Sequence, residues 1–588
     1  MLEINNLGIL EYHTKYLRKK FKNKDIFLVG GVIRDMFLDI EKSPKDIDLT
    51  MAGNPNDIYK KLDKTGVSSW ITEKFGTMTI IPVNKKKNSS DVDWLKYELT
   101  PLRTEWWYED FRHPWEINRS NNVLLDAQRR DFSINCIYYF HNYTVNTKGR
   151  TRKTKWNLTE KMIDILNKNW WIYVPNLELL ILRDRELIWK VFDWGKLNKD
   201  ELIESMKGLE SSLKGDIRHI IIDPFRWIQD LVNKKIKTCW PAENRFTEDA
   251  LRIIRALRFV SVLNEKLKKK YKKTANKWKE NLGLFDFDRD TRDNIKKHGK
   301  LVKNVAKERI KDEFLKVFKY GNSFGFVSLL DESGLLPILF PALAKTKNVH
   351  QPVRYHPFDV YTHTLLTLYE LEKINSDYLV KLAMLYHDVG KVEQFEKYKD
   401  WLTKEEIRTI LAGPYNHRKS SPVLAKKEFG DLGFSNKELN DISRYIEEHH
   451  TPGEILDADV SKREKKMRRL LSDKWYEKVD NLLDICIADR LGQYNPLQNS
   501  GDISDVYQLR SILKKLHKEE WQFTMKNMKI NWLQIMEEFD IEAGKLVGEL
   551  LEKAFLWVIN DIKTRNNKEN IIEYIKKYLR LKNLNSQK

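Results

Sequence analysis

Cysteine is scarce in this sequence. The 588 residues include only three cysteines, Cys136, Cys239 and Cys486, which lie far apart and form no C-x-x-C pair. An odd number of separated cysteines argues against a disulfide framework and against a zinc ribbon. The pattern is typical of a protein of the reducing cytoplasm, and we predict that location.

Long apolar runs are also missing. No uncharged stretch reaches the roughly 18 residues that a membrane-spanning helix needs. The start of the chain is basic, but no apolar stretch with a small-residue cleavage site follows it, so no signal peptide is predicted. Hydrophobic residues still make up 41% of the chain, which is enough for packed cores. A length of 588 residues predicts several domains.

Positive charge is present in excess. Lys and Arg outnumber Asp and Glu by 20. A surplus of this size is typical of proteins with a polyanionic partner such as RNA. An AT-rich genome that overuses lysine codons would produce the same surplus, so charge alone leaves both explanations open.

The first chemical motif is a strand–turn–helix–strand pattern near the N-terminus. A predicted strand ends at Gly30 and Gly31, where glycine and the free N–H groups of a helix start suit a phosphate. Arg34, one turn later, adds a cation. Asp46 and Asp48 are two apart on the next predicted strand, so both carboxylates point to one face. Such a pair suits Mg²⁺ and two-metal phosphoryl chemistry, although each half of the pattern alone is common without a function.

Further motifs follow in a fixed order. They are FGT at 75–77, the segment 97–114, DAQRRDFSINC at 126–136, IIDPF and DL within 221–231, RFTEDALRIIRALRF at 245–259 and AKERIKDEFLKVF at 306–318. In this order they resemble the class II tRNA nucleotidyltransferases and bacterial poly(A) polymerases of the DNA polymerase beta superfamily.

This resemblance implies an α+β architecture. A polymerase-beta-type nucleotidyltransferase head, with a small mixed sheet and helices, would be followed by an all-α neck, an HD domain and a helical tail. The resemblance implies Mg²⁺ on Asp46 and Asp48, with Glu98 as a third catalytic carboxylate. The nucleotide-binding positions that it implies in the head are Gly30, Gly31, Arg34, Arg130, Asp131 and Asn135, of which the last three would recognise the ribose.

A later helix carries a candidate for base selection. Asp249 and Arg252 lie three apart on a predicted helix and therefore on one face. A carboxylate accepts hydrogen bonds and a guanidinium only donates them, whereas cytosine and adenine each present an amino donor beside a ring-nitrogen acceptor. The resemblance assigns the choice of CTP and ATP to this pair, with Arg255 assisting. By spacing alone, a surface ion pair explains the pattern equally well.

A second set of candidate ligands lies within 346–494. LAMLYHDVGK at 382–391 and ADR at 488–490, with the spaced histidines, resemble the HD-domain metal phosphohydrolases. Imidazole and carboxylate together suit a divalent metal that activates water on a phosphoester. The predicted core ligands are His363, His387, Asp388 and Asp489, and a second ion would use His417 with His449 or His450.

The sequence departs from the family in two ways. Residues 141–220 stand where the family has a short connection, and we treat them as an insertion of unknown role. Tryptophan replaces glycine at four positions, and the chain has 24 glycines where ordinary usage gives about 41. Either the source organism reads UGA as glycine, or these are true substitutions under AT-rich bias. The four positions are Trp106, Trp227, Trp240 and Trp532.

The sequence as a whole predicts a template-independent enzyme that adds CCA to the 3′ end of tRNA from CTP and ATP, with a metal-dependent phosphohydrolase activity in the HD domain. The alternatives are CC-only or A-only addition, a poly(A) polymerase and, from another class, an HD phosphohydrolase with a nucleotide-sensing head. The predicted divisions are a head over 1–140, the insertion over 141–220, a neck over 221–345, the HD domain over 346–505 and a tRNA-binding tail over 506–588. The oligomeric state is left open.

Overall fold

The structure is a computed structural model. It describes residues 2–4, 7–22, 24–40, 46–72, 76–83, 95–108, 114–120, 122–141, 156–158, 171–174, 179–192, 217–274, 283–351, 358–401, 403, 406, 417–473, 476–493, 502–519, 523, 525–559 and 561–585. The chain divides into two compact units, Met1–Ile338 and Leu339–Lys588.

Strands occur in the first unit. They are β1 (Leu2–Ile4), β2 (Phe27–Val29), β3 (Asp46–Met51), β4 (Val67–Thr72), β5 (Thr77–Pro82), β6 (Lys96–Pro101), β7 (Arg103–Tyr108), β8 (Pro114–Arg119), β9 (Tyr138–His141), β10 (Trp156–Leu158), β11 (Trp171–Val174), β12 (Leu179–Leu182), β13 (His219–Ile222), β14 (Lys235–Ile236) and β15 (Asp286–Phe287).

One mixed sheet of nine strands organises the first unit, in the order β11-β12-β13-β9-β2-β3-β6-β5-β4. Its central strands are apolar because both faces are covered: β2, β9, β12 and β13 are buried throughout. The strand β3 reads differently. Ile47 and Leu49 are buried while Asp46 and Asp48 are exposed, as the period of two in a strand requires.

The sheet is larger than the small sheet predicted from the sequence, because it includes strands from residues 141–220. Ile181 of β12 pairs with Ile221 of β13, in parallel, and Ile221 pairs with Tyr139 of β9. Residues 171–174 and 179–182 therefore belong to the sheet of the head. The motif FGT lies partly outside the described residues, which resume at Gly76.

Helices surround the sheet and continue beyond it. Those of the first unit are Leu7–Lys20, Gly31–Leu38, Pro55–Lys61, Val123–Gln128, Arg185–Val191, Trp227–Val232, Ala242–Glu248, Leu251–Thr274, Arg289–His298, Lys307–Tyr320 and Ser323–Glu332, with 3₁₀ turns at Ser133–Asn135 and Gly299–Asn304. The helix Leu336–Leu339 lies at the division between the units.

The described part of the second unit is helical. Its helices are Pro341–Ala344, Val360–Ile374, Tyr378–Tyr386, Lys391–Tyr398, His417–Asp431, Asn436–Glu448, Thr451–Leu456, Val460–Asp473, Tyr476–Gly492, Ser504–Glu519, Trp532–Phe539, Lys545–Val558, Ile562–Arg565 and Lys568–Asn585, with a 3₁₀ turn at Met525–Asn527. Over the described ranges, none of the helices has the length and apolarity needed to cross a membrane. The predicted fold class, an α+β head followed by a helical remainder, is confirmed.

Candidate functional site

The turn between β2 and the helix Gly31–Leu38 requires glycine. Gly30 has a φ of +85°, in the left-handed region that side chains disfavour. A Cβ at this position would lie 2.6 Å from Oδ2 of Asp48. Glycine therefore allows the backbone of the turn and a carboxylate of β3 to occupy adjacent space.

A cavity of about 880 Å³ opens beside this turn. Its volume is within the range of sites that enclose small molecules. All the head residues predicted from the sequence line it, together with Arg255 of the predicted neck. They are Gly30, Gly31, Arg34, Asp46, Asp48, Glu98, Arg130, Asp131 and Asn135.

One wall of the cavity carries three carboxylates. Asp48 and Glu98 are directly paired on the parallel strands β3 and β6, so their side chains share a face with that of Asp46. Asp48 is open to the cavity but ringed by protein, and this partial desolvation raises its pKa to about 6, with Glu98 and Asp46 adding to the rise against Arg130 and Arg255. Crowded oxygen ligands of this kind fit a hard divalent cation.

The opposite part of the site is a chain of hydrogen bonds. Nη1 of Arg34 donates to Oδ1 of Asn135 at 2.7 Å, and Nδ2 of Asn135 lies 3.4 Å from Oδ1 of Asp131. Nη2 of Arg255 donates to Oδ2 of Asp131 at 2.6 Å. Burial alone would raise the pKa of Asp131, but Arg255 holds it at about 2. These polar groups are thus fixed in place before any ligand arrives.

Asp126 and Tyr138 orient the side chain of Arg130. Its guanidinium donates to Oδ2 of Asp126 at 2.9 and 3.0 Å and to the hydroxyl of Tyr138 at 3.0 Å. Asp126 is fully buried. Two donors on one carboxylate oxygen and a third contact with Tyr138 hold the guanidinium, which lines the cavity together with Asp131.

The predicted placement of Asp249 and Arg252 on one helix is wrong. One helix ends at Glu248, the next begins at Leu251, and Asp249 stands between them in an extended conformation. Its Oδ1 accepts from the N–H of Leu251, at 3.1 Å, because aspartate at a helix start satisfies a free backbone donor. Neither Asp249 nor Arg252 is among the described residues that line the cavity.

Both residues instead have partners within the protein. Arg309 contacts Asp249 through two nitrogens, at 2.8 and 3.2 Å. Nη1 of Arg252 donates to Oε2 of Glu248 at 2.8 Å and to the carbonyl of Arg245 at 3.0 Å. The sequence reasoning did not identify Glu248 or Arg309. Glu248 could have been found from its spacing, four residues before Arg252. For Arg309, the available signal was its place in the motif at 306–318.

The second unit brings together the predicted HD ligands in two groups. In the first, Nε2 of His363 lies 3.1 Å from Oδ1 of Asp489, and Nε2 of His387 lies 3.3 Å from Nε2 of His363. The second group contains His417, His449 and His450 together.

Asp388 lies between the two groups. Its Oδ2 is 3.4 Å from His387 and 3.6 Å from His363, and its Oδ1 is 3.3 Å from His417. Burial would raise the pKa of Asp388, but Lys391 and the surrounding histidines hold it well below its usual range. An ionised carboxylate in this position can serve both groups at once.

Backbone carbonyls orient two of the histidines towards the site, and burial keeps two of them neutral. Nδ1 of His387 contacts the carbonyl of Met384 at 2.7 Å, and Nδ1 of His449 contacts that of Ile446 at 2.5 Å, so Nε2 of each ring faces the site. Burial lowers the pKa of His417 to about 3 and that of His449 well below its usual range. Among the described atoms, Nε2 of His449 has no hydrogen-bond partner. A divalent metal ion would satisfy this buried nitrogen, so the residues fit such an ion.

Three family models match the chain. Residues 26–149 match the "Poly A polymerase head domain", residues 284–347 the "Probable RNA and SrmB- binding site of polymerase A", and residues 360–491 the "HD domain". The chain thus matches a poly(A) polymerase head domain and, in the same polypeptide, an HD domain. The resemblance predicted from the sequence is confirmed.

Individual relatives are CCA-adding enzymes. The protein of that name from Ligilactobacillus salivarius is 23% identical over 560 residues, covering 94% of this chain and 93% of the relative. The one from Lactobacillus helveticus is 24% identical over 293 residues, and the match spans about half of each protein, 50% of this chain and 46% of the relative. The solved structure of the Bacillus stearothermophilus CCA-adding enzyme in complex with CTP superposes with a TM-score of 0.55 at 18% identity, over 97% of both chains. This likeness shows a shared fold.

Proposed function

We propose that this protein adds CCA to the 3′ end of tRNA, using CTP and ATP and no nucleic-acid template. The observation that carries the proposal is the convergence of Asp46, Asp48 and Glu98 on one wall of the cavity that the Gly30 turn opens. The proposal is supported by the Ligilactobacillus salivarius relative, which is named a CCA-adding enzyme and matches 94% of this chain.

The residues would divide the work of nucleotidyl transfer. Mg²⁺, held by Asp46 and Asp48 with Glu98 nearby, would supply activation of the tRNA 3′-hydroxyl and charge neutralisation on the triphosphate. Arg34, at the start of its helix, would contact phosphate oxygens. The 3′-hydroxyl attacks the α-phosphate of CTP or ATP, the new phosphodiester bond forms, and pyrophosphate leaves.

The ribose would be recognised on the hydrogen-bonded wall. Arg130, Asp131 and Asn135 offer donors and acceptors that their neighbours already orient. A preorganised polar wall reduces the entropy that binding must overcome. This wall reads the sugar and not the base, so it serves CTP and ATP equally.

Base selection remains with Asp249 and Arg252 in this proposal. A carboxylate has room for further hydrogen bonds beyond those from Arg309, and a guanidinium has five donors. The ion pairs with Arg309 and Glu248 would orient the two side chains, so that Asp249 accepts from an amino group and Arg252 donates to a ring nitrogen. Arg255, which lines the cavity, would connect this element to the ribose wall through Asp131.

We further propose that the HD domain is a metal-dependent phosphohydrolase acting on phosphoesters of RNA ends. His363, His387, Asp388 and Asp489 would hold one divalent ion, and His417, His449 and His450 a second, with Asp388 between them. Bound metal would supply an activated water for attack on phosphorus. The basic helical tail would contact the phosphates of the tRNA acceptor arm.

The test uses tRNAs that lack CCA or end in C or CC, each incubated with labelled CTP and ATP beside an unrelated RNA. The proposal expects each tRNA to be completed to CCA and the unrelated RNA to remain unextended. Tails of A alone on the unrelated RNA would indicate a poly(A) polymerase. Addition that stops at CC, or that begins only on tRNA ending in CC, would indicate the partial activities.

A further inference from the structure

A third group of metal-ligand side chains lies in the first unit, and none of its members lines the cavity. Glu11 lies on the helix Leu7–Lys20, His141 at the end of β9 and His219 at the start of β13. The two histidines are direct partners on antiparallel strands. One nitrogen of each and a carboxylate oxygen of Glu11 all lie within 4.8 Å of one another. All three residues are buried.

A contact with Tyr139 orients the ring of His219 as a metal ligand would need. Nδ1 of His219 contacts the hydroxyl of Tyr139 at 2.7 Å, and its Nε2 lies 4.0 Å from Oε2 of Glu11. Nε2 of His141 lies 3.9 Å from Oε1 of Glu11. A metal-bound histidine usually has a hydrogen bond on the ring nitrogen that does not face the ion, because this bond fixes the ring orientation and the tautomer.

Burial leaves one oxygen of the group unsatisfied. Oε2 of Glu11 has no hydrogen-bond partner among the described residues, although Oε1 accepts from Lys15. A buried carboxylate oxygen without a partner costs free energy. Zinc ligands lie about 2.0–2.2 Å from the ion. The three side chains would therefore need to approach one another by only about half an ångström to bind the same zinc ion.

The protonation states also suit a metal. Burial lowers the pKa of His141 to about 4 and that of His219 to about 3, so both rings are neutral near pH 7. Burial alone would raise the pKa of Glu11, but the hydrogen bond and charge of Lys15 lower it. Positive charge from Lys15 and Arg218 acts on the same group, which disfavours weakly bound Mg²⁺. A transition-metal ion that bonds strongly to imidazole can bind in spite of repulsion from these positive charges.

We propose that Glu11, His141 and His219 form a structural site for a divalent transition metal of the zinc type, which joins the first long helix to strands β9 and β13. The ligands come from positions far apart in the chain, so one bound ion would link three segments of the head. The site is separate from the HD ligands, which belong to the other unit.

The test must exclude metal bound in the HD domain. The background is therefore the full chain with His387→Gln, Asp388→Asn, His417→Gln and His449→Gln, which removes ligands from both HD groups. It is stripped with chelator, reloaded with zinc and freed of excess metal by gel filtration. Elemental analysis should find one zinc per chain. In this background, His219→Gln or Glu11→Gln should lower zinc affinity at least tenfold. His13→Gln should not, and it is the matched control because His13 is a buried histidine of the same helix, in contact with Tyr97.

A second measurement needs no further variant. Zinc added to the stripped background protein should raise its thermal unfolding temperature, and cobalt should give the visible absorption of a site with nitrogen ligands. The proposal is overturned if the background protein retains no zinc and its unfolding temperature does not move. It is also overturned if His219→Gln and Glu11→Gln retain as much zinc as His13→Gln. Nucleotide addition does not enter either readout.

Discussion

Arg183 and Asp223 form a buried ion pair, with Nη2 of Arg183 lying 3.1 Å from Oδ2 of Asp223. Asp223 also accepts hydrogen bonds from the N–H groups of Trp227 and Ile228, at the start of the next helix. Arg183 comes from the segment 141–220, whereas Asp223 belongs to the motif IIDPF. Part of the predicted insertion therefore braces a motif of the family.

Removal of Arg183 should destabilise the first unit. The Arg183→Ala variant would leave Asp223 buried without its counter-charge, and breaking a buried pair in this way costs about 3–5 kcal/mol. Urea unfolding followed by circular dichroism measures the loss. The double variant Arg183→Ala, Asp223→Ala should recover part of it. A stability equal to that of the unchanged protein in the single variant would mean that the pair does not brace the motif.

A neighbouring arginine offers a milder comparison. Nε of Arg185 donates to the carbonyl of Pro224 at 3.3 Å, and its guanidinium lies 4.3 Å from the ring of Phe225. These contacts are partly exposed to solvent, so Arg185→Ala should cost less than Arg183→Ala. If Arg185→Ala lost as much free energy of unfolding as Arg183→Ala, the larger cost assigned to the buried pair would be wrong.

Arg309 should control the choice of nucleotide. Arg309→Gln removes the bidentate partner of Asp249, so the carboxylate loses its fixed orientation. We expect at least a tenfold fall in incorporation of C and A, with a smaller fall for misincorporated U and G. Arg289→Gln, at an exposed arginine 3.7 Å from Asp293, is the control and should leave incorporation unchanged. If Arg309→Gln and Arg289→Gln selected C and A over U and G equally well, Arg309 would not orient Asp249 for base selection.

Acid should weaken the head through His13. Burial lowers the pKa of this histidine from 6.5 to about 4. The unfolded chain therefore binds a proton below about pH 6.5 that the folded chain refuses, and the free energy of unfolding falls as the pH drops from 6.5 towards 4. At about 1.4 kcal/mol for each pKa unit, the lowering from 6.5 to about 4 means that His13 contributes at most about 3.5 kcal/mol to this fall.

The measurement is urea unfolding at a series of pH values between 7 and 4. His13→Gln, which keeps a polar group beside the hydroxyl of Tyr97, should flatten the decline. The contribution would be absent if the variant and the unchanged protein lost stability in parallel over this range.

Removal of metal should separate the two proposed activities. After strong chelation, addition of Mg²⁺ alone should restore nucleotide addition, since the carboxylate wall suits a hard cation. Hydrolysis of a 2′,3′-cyclic phosphate should need a transition metal, because imidazoles dominate the HD set. His387→Gln should abolish the hydrolysis and leave the addition. Hydrolysis that persists in this variant would place the activity outside the HD histidines.

The head residues could be grouped from the sequence because their motifs are local, and the roles assigned to them stay predictions. Gly30 and Asp48 lie within one strand–turn–helix–strand unit, and the period of a strand places the two aspartates on one face. Arg130 and Asn135 lie within one short helix–turn segment. The grouping of the HD residues also followed from the sequence, since spaced histidines and the HD pair carry the pattern, and their role as metal ligands stays a prediction. The sequence left open whether His449 or His450 joins His417, and the structure brings both to it.

Contacts between distant segments were beyond the sequence. The helical spacing of Asp249 and Arg252 suggested one face, but a turn at Asp249 interrupts the helix, and its partner Arg309 lies 60 residues later. Residues 179–182 showed no motif, so their place in the sheet of the head could not be read from periodicity alone. Cys136 and Cys239, separate in sequence, have their sulfurs 2.7 Å apart.

The tryptophans at family glycine positions differ in their surroundings. Trp227 is buried, with its ring centre 4.6 Å from that of Phe225, whereas Trp240 and Trp532 are about half exposed. The side chain of Trp106 lies outside the described residues. Trp401, outside this group, is more exposed than either, so exposure favours neither recoded UGA nor true substitution. The codons at these positions decide it.

The most direct test of the central claim is the sequence of the tRNA 3′ end after incubation with CTP and ATP. The unchanged protein should convert tRNA lacking CCA into tRNA ending in CCA. Asp46→Asn and Asp48→Asn should each abolish addition, because the paired carboxylates that would hold Mg²⁺ are lost, while His387→Gln should add CCA as the unchanged protein does. Addition that survives in both aspartate variants would contradict the account.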